Sequence, residues 1–367
     1  MYPSDIRPLT SLRICAALWV LVYHFRNHLG LDLERFGLVA KGYLGVDLFF
    51  ILSGFILSHV YTRAFAERRF NYASFLWARL ARVYPVHLVT LAATIAIWLA
   101  ALKLGVGFDP QAFDPRTLPQ HLLLIHAWGT TPTVQWNFPS WSISAEWFAY
   151  LGFPVAATSS LAARRQPVLL VLAALALFVT MFLVARAGGV LFTDMSAQIG
   201  ALRILPAFLM GTALHRFGSS VSLPAAAASA GAIAACALIA IAASLRLSDL
   251  WIWPGLALLI YCLAETSKAA KPGVMSTPLL VYLGEVSYSV YMVHLPVDIV
   301  YFHGLQRLAP HLSPAGAGLA WSGAFVACLV AAIAVYHGVE RPARDGLRAR
   351  DPFARRPMSE PPHEPVL

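Results

Sequence analysis

The sequence predicts an all-α, polytopic membrane protein, a bundle of about ten transmembrane helices with both termini in the cytoplasm. Three observations predict it. Of the 367 residues, 59% are apolar and 12% charged, about half the charged share of an ordinary soluble domain, and the mean hydropathy is +0.66. Apolar runs of roughly 20 residues, the length needed to cross a hydrocarbon core, recur along the chain between charges, prolines and glycines. The Lys and Arg residues fall preferentially on alternate connections, as the positive-inside rule requires.

The first span is predicted over residues 9–28. It follows MYPSDIRPLTSLR and ends in Tyr23-His24-Phe25-Arg26 without a small-residue cleavage site, so it reads as a retained helix rather than a signal peptide. Further spans are predicted near 43–62, 83–103, 140–159, 167–186, 198–215, 223–244, 250–265, 278–301 and 317–338. The segment 118–128, LPQHLLLIHAW, is too short to span and is expected to be re-entrant or interfacial. With the N-terminus inside, 17 Lys and Arg lie on cytoplasmic segments and 8 outside, and Arg13 and Arg203 fall within spans. A further span at 118–128 would put the basic C-terminus outside.

Residues 1–342 are thus expected to form one membrane domain, and residues 343–367, rich in Arg and Pro, a mobile cytoplasmic tail. The net charge of +9 would raise the question of nucleic acid in a soluble chain. Here it reports topology, and the expected surroundings are membrane lipids with no nucleic-acid partner. Cys15, Cys236, Cys262 and Cys328 lie far apart in apolar stretches and the histidines are scattered along the chain, so no metal site is expected.

Ionisable side chains inside a span are costly unless they pair or line a polar cavity, which makes each a candidate for function. Arg13 and His24 are eleven residues apart, about three turns, so they share a face of the first helix at depths about 16 Å apart. His24 suits either a packed histidine or a base. Asp47, in GYLGVDLFFILSGFILSH, is expected at the depth of His24 and could hold its imidazole in one tautomer; capping a helix start is the plainer alternative.

Arg79 and Arg82, three apart, form a pair that can grip phosphate or mark the cytoplasmic side. In QWNFPSWSISAEWFAY, Ser142 and Glu146 share a helical face beside Trp136, Trp141 and Trp147. That grouping fits a sugar platform on an outer loop, or interfacial anchoring. Tyr288, Tyr291, His294 and Asp298 make a polar stripe on the ninth span, and Glu340-Arg341-Pro342 reads as a cytoplasmic ion pair or helix stop.

These residues carry a resemblance. From Arg7 to Pro342 the sequence resembles the acyltransferase-3 family of integral membrane O-acyltransferases. LRICAALWVLVYHF is similar to its first helix with Arg13 and the catalytic His24. GYLGVDLFFILSGFIL is similar to its second-helix signature, Arg79-Leu80-Ala81-Arg82 to its RxxR motif, and Ser142-Ile143-Ser144-Ala145-Glu146 to its SxxxE motif; SYSVYMVHLP and ERP also fit.

The resemblance implies a bacterial inner-membrane enzyme moving an acyl group, often acetyl, from acyl-CoA to a hydroxyl on a carbohydrate, lipid-linked glycan or other extracytoplasmic acceptor. No hydrolase-like domain is expected beyond Pro342. The joint expectation assigns Arg13, Arg79 and Arg82 to the CoA phosphates and His24 with Asp47 to catalysis. Ser142, Glu146, Trp141, Tyr288 and His294 are assigned to substrate. The competing expectation is a proton-coupled transporter of a small acid or glycolipid, which would use the same buried ionisable residues without acyl transfer.

Overall fold

Where the apolar runs are long, helices form, since in lipid each backbone polar group must be satisfied within its own segment. The computed structural model describes residues 2–354 apart from 108, 197, 270, 271 and 310. Lys271, Arg355 and Arg356, counted above on the cytoplasmic side, lie outside the described residues, as does the rest of the expected tail. Among the described residues the regular structure is helical, with no strand.

The main helices are α1 (Arg7–Phe25), α2 (Leu44–Ala66), α3 (Tyr72–Lys103), α4 (Trp141–Leu151), α5 (Phe153–Ala162), α6 (Pro167–Ala187), α7 (Gly200–Gly218), α8 (Ala225–Ser244), α9 (Asp249–Thr266), α10 (Pro278–Leu308), α11 (Pro314–Val335) and α12 (Arg341–Ala349). Among the described residues, six helical segments are long and apolar enough to cross a membrane: Arg7–Leu29, Leu44–Ala66, Tyr72–Lys103, Pro167–Ala187, Ala225–Ser244 and Pro314–Ala349. Helices also occupy the other four expected positions, but these are interrupted or more polar. The span expected at 140–159 is two helices, α4 and α5, which meet at Gly152 with Pro154 in the first turn of α5. α7 carries Arg203 and an internal Pro206, and α10 carries His294 and Pro296.

Close backbone approach holds the centre together. A Cβ on Gly54 of α2 would fall 2.0 Å from the Phe208 carbonyl oxygen of α7, and one on Gly211 of α7 would fall 1.9 Å from the Ile51 carbonyl oxygen of α2. The two glycines therefore let these helices touch backbone to backbone, the packing that small residues allow where lipid supplies no hydrophobic drive. Ser58 donates to the Thr212 hydroxyl across the same seam at 3.1 Å. α1 lies along α10, α10 against α11, α6 against α7, and α8 against α9. Trp253 of α9, fully buried, stacks on Phe178 of α6 with centroids 4.1 Å apart.

Residues 109–140 do not cross the bundle. The short helix Leu118–Leu122 folds back on α3: Tyr84 donates to the Leu122 carbonyl at 3.0 Å, and His87 Nε2 lies 2.9 Å from the His121 carbonyl. The two described chain ends lie at one end of the bundle. Tyr2 donates to Glu265 at the end of α9 (2.6 Å), and α12 docks on the start of α3. The beginning of the expected loose tail is thus ordered helix, fastened where the Trp77 indole donates to the Leu347 carbonyl at 2.7 Å.

Candidate active site

Two cavities meet at arginines. The inner one, about 140 Å³, is walled by α2, α3, α4 and α10 and includes Ser53, Glu146, Ser142, Tyr150, Tyr288 and Tyr291 in its lining. The outer one, about 720 Å³, opens at the end of the bundle that carries the chain termini, and Tyr61, Trp77, Glu285, Arg344 and Arg348 help line it. Arg13, Ile56, Leu57, Arg79 and Arg82 line both. The three arginines chosen from sequence therefore converge from α1 and α3 on one junction, although sequence spacing linked only two of them.

Each guanidinium at the junction has a different hold. Arg82 pairs with Glu340 and lies over the Tyr288 ring, 5.4 Å from its centroid. Glu340, 1% exposed, also accepts from Ser289 at 2.6 Å. It reaches this position from a π-helical turn, Tyr336–Glu340, between α11 and α12, a local widening that often marks functional sites. The ion pair expected at Glu340 is made, and its partner is an RxxR arginine rather than a sequence neighbour. Arg79 donates to the Tyr61 hydroxyl at 3.4 Å, and its buried Nε has no hydrogen-bond partner among the described residues. Such a buried donor is poised for an anion.

Ser142 and Glu146, expected at the outer start of the span at 140–159, are on α4 inside the bundle. Their four-residue spacing puts both on the cavity-facing side. Ser53 donates to Glu146 at 2.8 Å. Ser142 donates to the Tyr291 hydroxyl at 2.9 Å, and Tyr291 in turn donates to the Pro139 carbonyl at 2.9 Å. Tyr288 donates to the Val83 carbonyl at 2.6 Å, within the helix turn that holds Pro85. Trp141 is not a free platform: it is 6% exposed, its ring lies under the Arg203 guanidinium at 5.1 Å, and Phe50 meets it edge-on.

The expected pairing of His24 with Asp47 is replaced by two others. Asp47, completely buried, accepts from Arg203 of α7 at 2.6 Å. A guanidinium in a neighbouring helix outcompetes an imidazole because it offers a permanent charge with several donors. His24 faces α10, with its ring centroid 4.9 Å from that of His294 and 5.0 Å from Phe138. His294 Nδ1 lies 2.5 Å from the Tyr291 carbonyl oxygen. A carbonyl only accepts, so Nδ1 carries the proton and Nε2 keeps its lone pair. That Nε2 is buried and without a hydrogen-bond partner among the described residues. Asp298, one turn on, lies 2.8 Å from His28 Nε2.

Sequence reasoning passed over Arg203, Ser53, Tyr150 and a stack of three histidines. His121 and His126 stack with centroids 4.0 Å apart, and His87 lies parallel to His126 at 6.0 Å. Among the described residues no group of three or more His, Cys, Asp or Glu could hold a metal. Arg203 did carry a signal, as the second cation counted inside a span.

This arrangement combines a cationic mouth, a small, mainly apolar inner cavity with a few polar groups in its wall, and, outside that wall, a histidine whose Nε2 has no hydrogen-bond partner among the described residues. The family profile described as an acyltransferase domain matches residues 8–337, nearly the whole chain. The chain belongs to the acyltransferase-3 family. Two curated relatives agree in part. The chain is 34% identical over 167 residues to "Acyltransferase MdmB" of Streptomyces mycarofaciens, covering 42% of this chain and 40% of that protein. It is 36% identical over 104 residues to "Protein 2 in picA locus" of Rhizobium radiobacter, covering 28% of this chain and 51% of that one. The matches thus span about half or less of either relative. No solved structure matches. Its long apolar helices agree with an integral membrane member of that family.

Proposed function

We propose that the chain is a membrane O-acyltransferase, that its donor is a cytoplasmic acyl-CoA, with acetyl-CoA the first candidate, and that the acceptor is a hydroxyl of a surface polysaccharide or lipid-linked glycan reaching the bundle from the opposite side of a bacterial inner membrane. The observation that carries this reading is the pair of cavities joined at Arg13, Arg79 and Arg82. A wide cationic mouth suits the phosphates of CoA. The narrow inner cavity suits the thin pantetheine arm, which would carry the thioester past Glu146 and Ser142 toward Tyr291.

Beyond Tyr291, whose ring centroid is 5.7 Å from that of His294, stand the two histidines. In this reading His24, with His294 beside it in place of Asp47, takes the proton of the acceptor hydroxyl. The oxygen then attacks the thioester carbonyl carbon, the C–S bond breaks, and the departing thiolate of CoA receives a proton from the imidazolium. General-base help of this kind is worth about 10²- to 10⁴-fold. Asp47, locked to Arg203, becomes a structural residue. Trp141, beneath the same arginine, supports the wall and leaves the acceptor to other groups. A transporter would also have a polar interior, but it would leave the acyl group on its carrier.

The test is transfer of labelled acetyl from acetyl-CoA into the glycan or lipid-linked fraction of membranes, with wild type and His24→Ala at matched levels of folded protein. Label is expected with wild type and to fall at least about 100-fold in the variant. Undiminished transfer by the variant removes His24 as the base. Absence of transfer by wild type from acetyl-CoA and longer acyl-CoAs, with a native acceptor extract supplied, removes the donor reading.

A further inference from the structure

The expected tail contributes two more guanidiniums to the outer cavity. Arg344 and Arg348 are four apart on α12, hence on one face, and both line the cavity with Arg13, Arg79 and Arg82. Three contacts along α3 fix α12 and the residues on either side of it. The π-helical turn leads into it with Glu340 bound to Arg82. The Trp77 indole holds the Leu347 carbonyl, and the Asn71 amide holds the Phe353 carbonyl at 2.7 Å.

Five guanidiniums therefore face one cavity against the carboxylates of Glu285, Asp345 and Asp351. Of these acids, Asp345 accepts from one of the five, Arg344, at 3.1 Å, and Glu285 accepts from Tyr336 at 2.8 Å. The Arg348 guanidinium has no hydrogen-bond or ion-pair partner among the described residues. Like charges gathered this closely repel one another unless an anion lies among them.

We propose that α12 is part of the donor site, and that Arg344 and Arg348 bind the 3′-phosphate of the CoA ribose at the cavity mouth. The proposal rests on the acyl-CoA reading above and adds a position to it. The thioester must point inward, toward Ser142 and Tyr291, so the phosphoadenosine is left at the mouth. Arg13, Arg79 and Arg82, shared with the inner cavity, then lie nearer the diphosphate. Arg344 and Arg348 line only the outer cavity, which matches the phosphate farthest from the thioester. A phosphate monoester is what these two arginines can distinguish; anionic lipid headgroups at the membrane surface offer related chemistry but no 3′-phosphate.

The test measures binding of CoA and of 3′-dephospho-CoA to the purified full-length protein in detergent, by ligand-dependent thermal stabilisation. Wild type is expected to favour CoA by about tenfold or more, as a charge-assisted phosphate contact implies. The double variant Arg344→Gln, Arg348→Gln is expected to bring the two ligands within about twofold while leaving dephospho-CoA binding as it was. Arg348→Gln alone, a change at an exposed and unpartnered side chain, is expected to shrink the preference partway, and it keeps the proposal testable if the double variant does not fold. A preference for CoA that survives both changes overturns the proposal. So does equal weakening of both ligands, the result expected if the helix only shapes the mouth or binds lipid. If wild type binds neither ligand, the acyl-CoA reading fails and this assignment falls with it; if wild type binds both equally, only the 3′-phosphate assignment fails.

Discussion

Asp47 shows how a single side chain changes meaning between sequence and structure. In sequence it is an acid near the depth of His24, and a catalytic dyad follows naturally. In the folded chain it is sealed against Arg203, which also lies over Trp141 and Phe192. Removing one member of a buried ion pair strands the other and costs about 3–5 kcal/mol, whereas replacing both with apolar groups is often close to neutral. Asp47→Ala is therefore expected to lower the thermal midpoint sharply. Asp47→Ala combined with Arg203→Met should recover most of the folded protein and, with it, the acyl transfer. A double variant that folds as well as wild type yet transfers nothing would return Asp47 to the chemistry.

At the scale of the element, the seam between α2 and α7 depends on what is missing from Gly54 and Gly211. Each would place a Cβ within about 2 Å of a carbonyl oxygen on the facing helix, at 2.0 and 1.9 Å. Backbone cannot yield as a flexible side chain can, so the helices would have to separate. Gly211→Leu is expected to cost more than the 1–3 kcal/mol or so of ordinary overpacking. The expected sign is loss of the monodisperse peak on size-exclusion chromatography in mild detergent. A sharp wild-type peak from this variant would show that the seam opens without consequence. The same separation would pull Asp47 on α2 from Arg203 on α7, which ties this packing to the wall of the candidate site. The π-helical turn before α12 is the opposite device: an added residue per turn, not a deleted side chain, brings Glu340 onto Arg82.

At the scale of the whole molecule, the proposed reaction needs its two substrates on opposite sides of the membrane. Ser220, after α7, lies at the end of the bundle where Tyr2 meets Gly218, and Gln111 lies in the connection at the other end of α3. In a chain whose four cysteines are replaced by alanine, Gln111→Cys is expected to react with a membrane-impermeant maleimide added to intact cells, and Ser220→Cys only after the membrane is opened. Labelling of both from outside would contradict the sidedness on which a cytoplasmic acyl-CoA donor depends.

The sequence by itself determined the all-α membrane class, the approximate positions of most of the long helices, the short returning segment near residue 120 and the identity of the three arginines at the cavity junction. Each is a local or one-dimensional property: the length of an apolar run, the cost of charge in lipid, the spacing of residues on one helix. Tertiary structure alone decided which buried charges pair. It gave Asp47 to Arg203 and Glu340 to Arg82, set His24 beside His294, turned Ser142 and Glu146 inward, covered Trp141 and docked α12 with Arg344 and Arg348 at the mouth. Partners separated by 156 and 258 positions leave no periodic trace in a single sequence. Their choice depends on how helices rotate and approach, which is set by packing details as small as the absence of one Cβ.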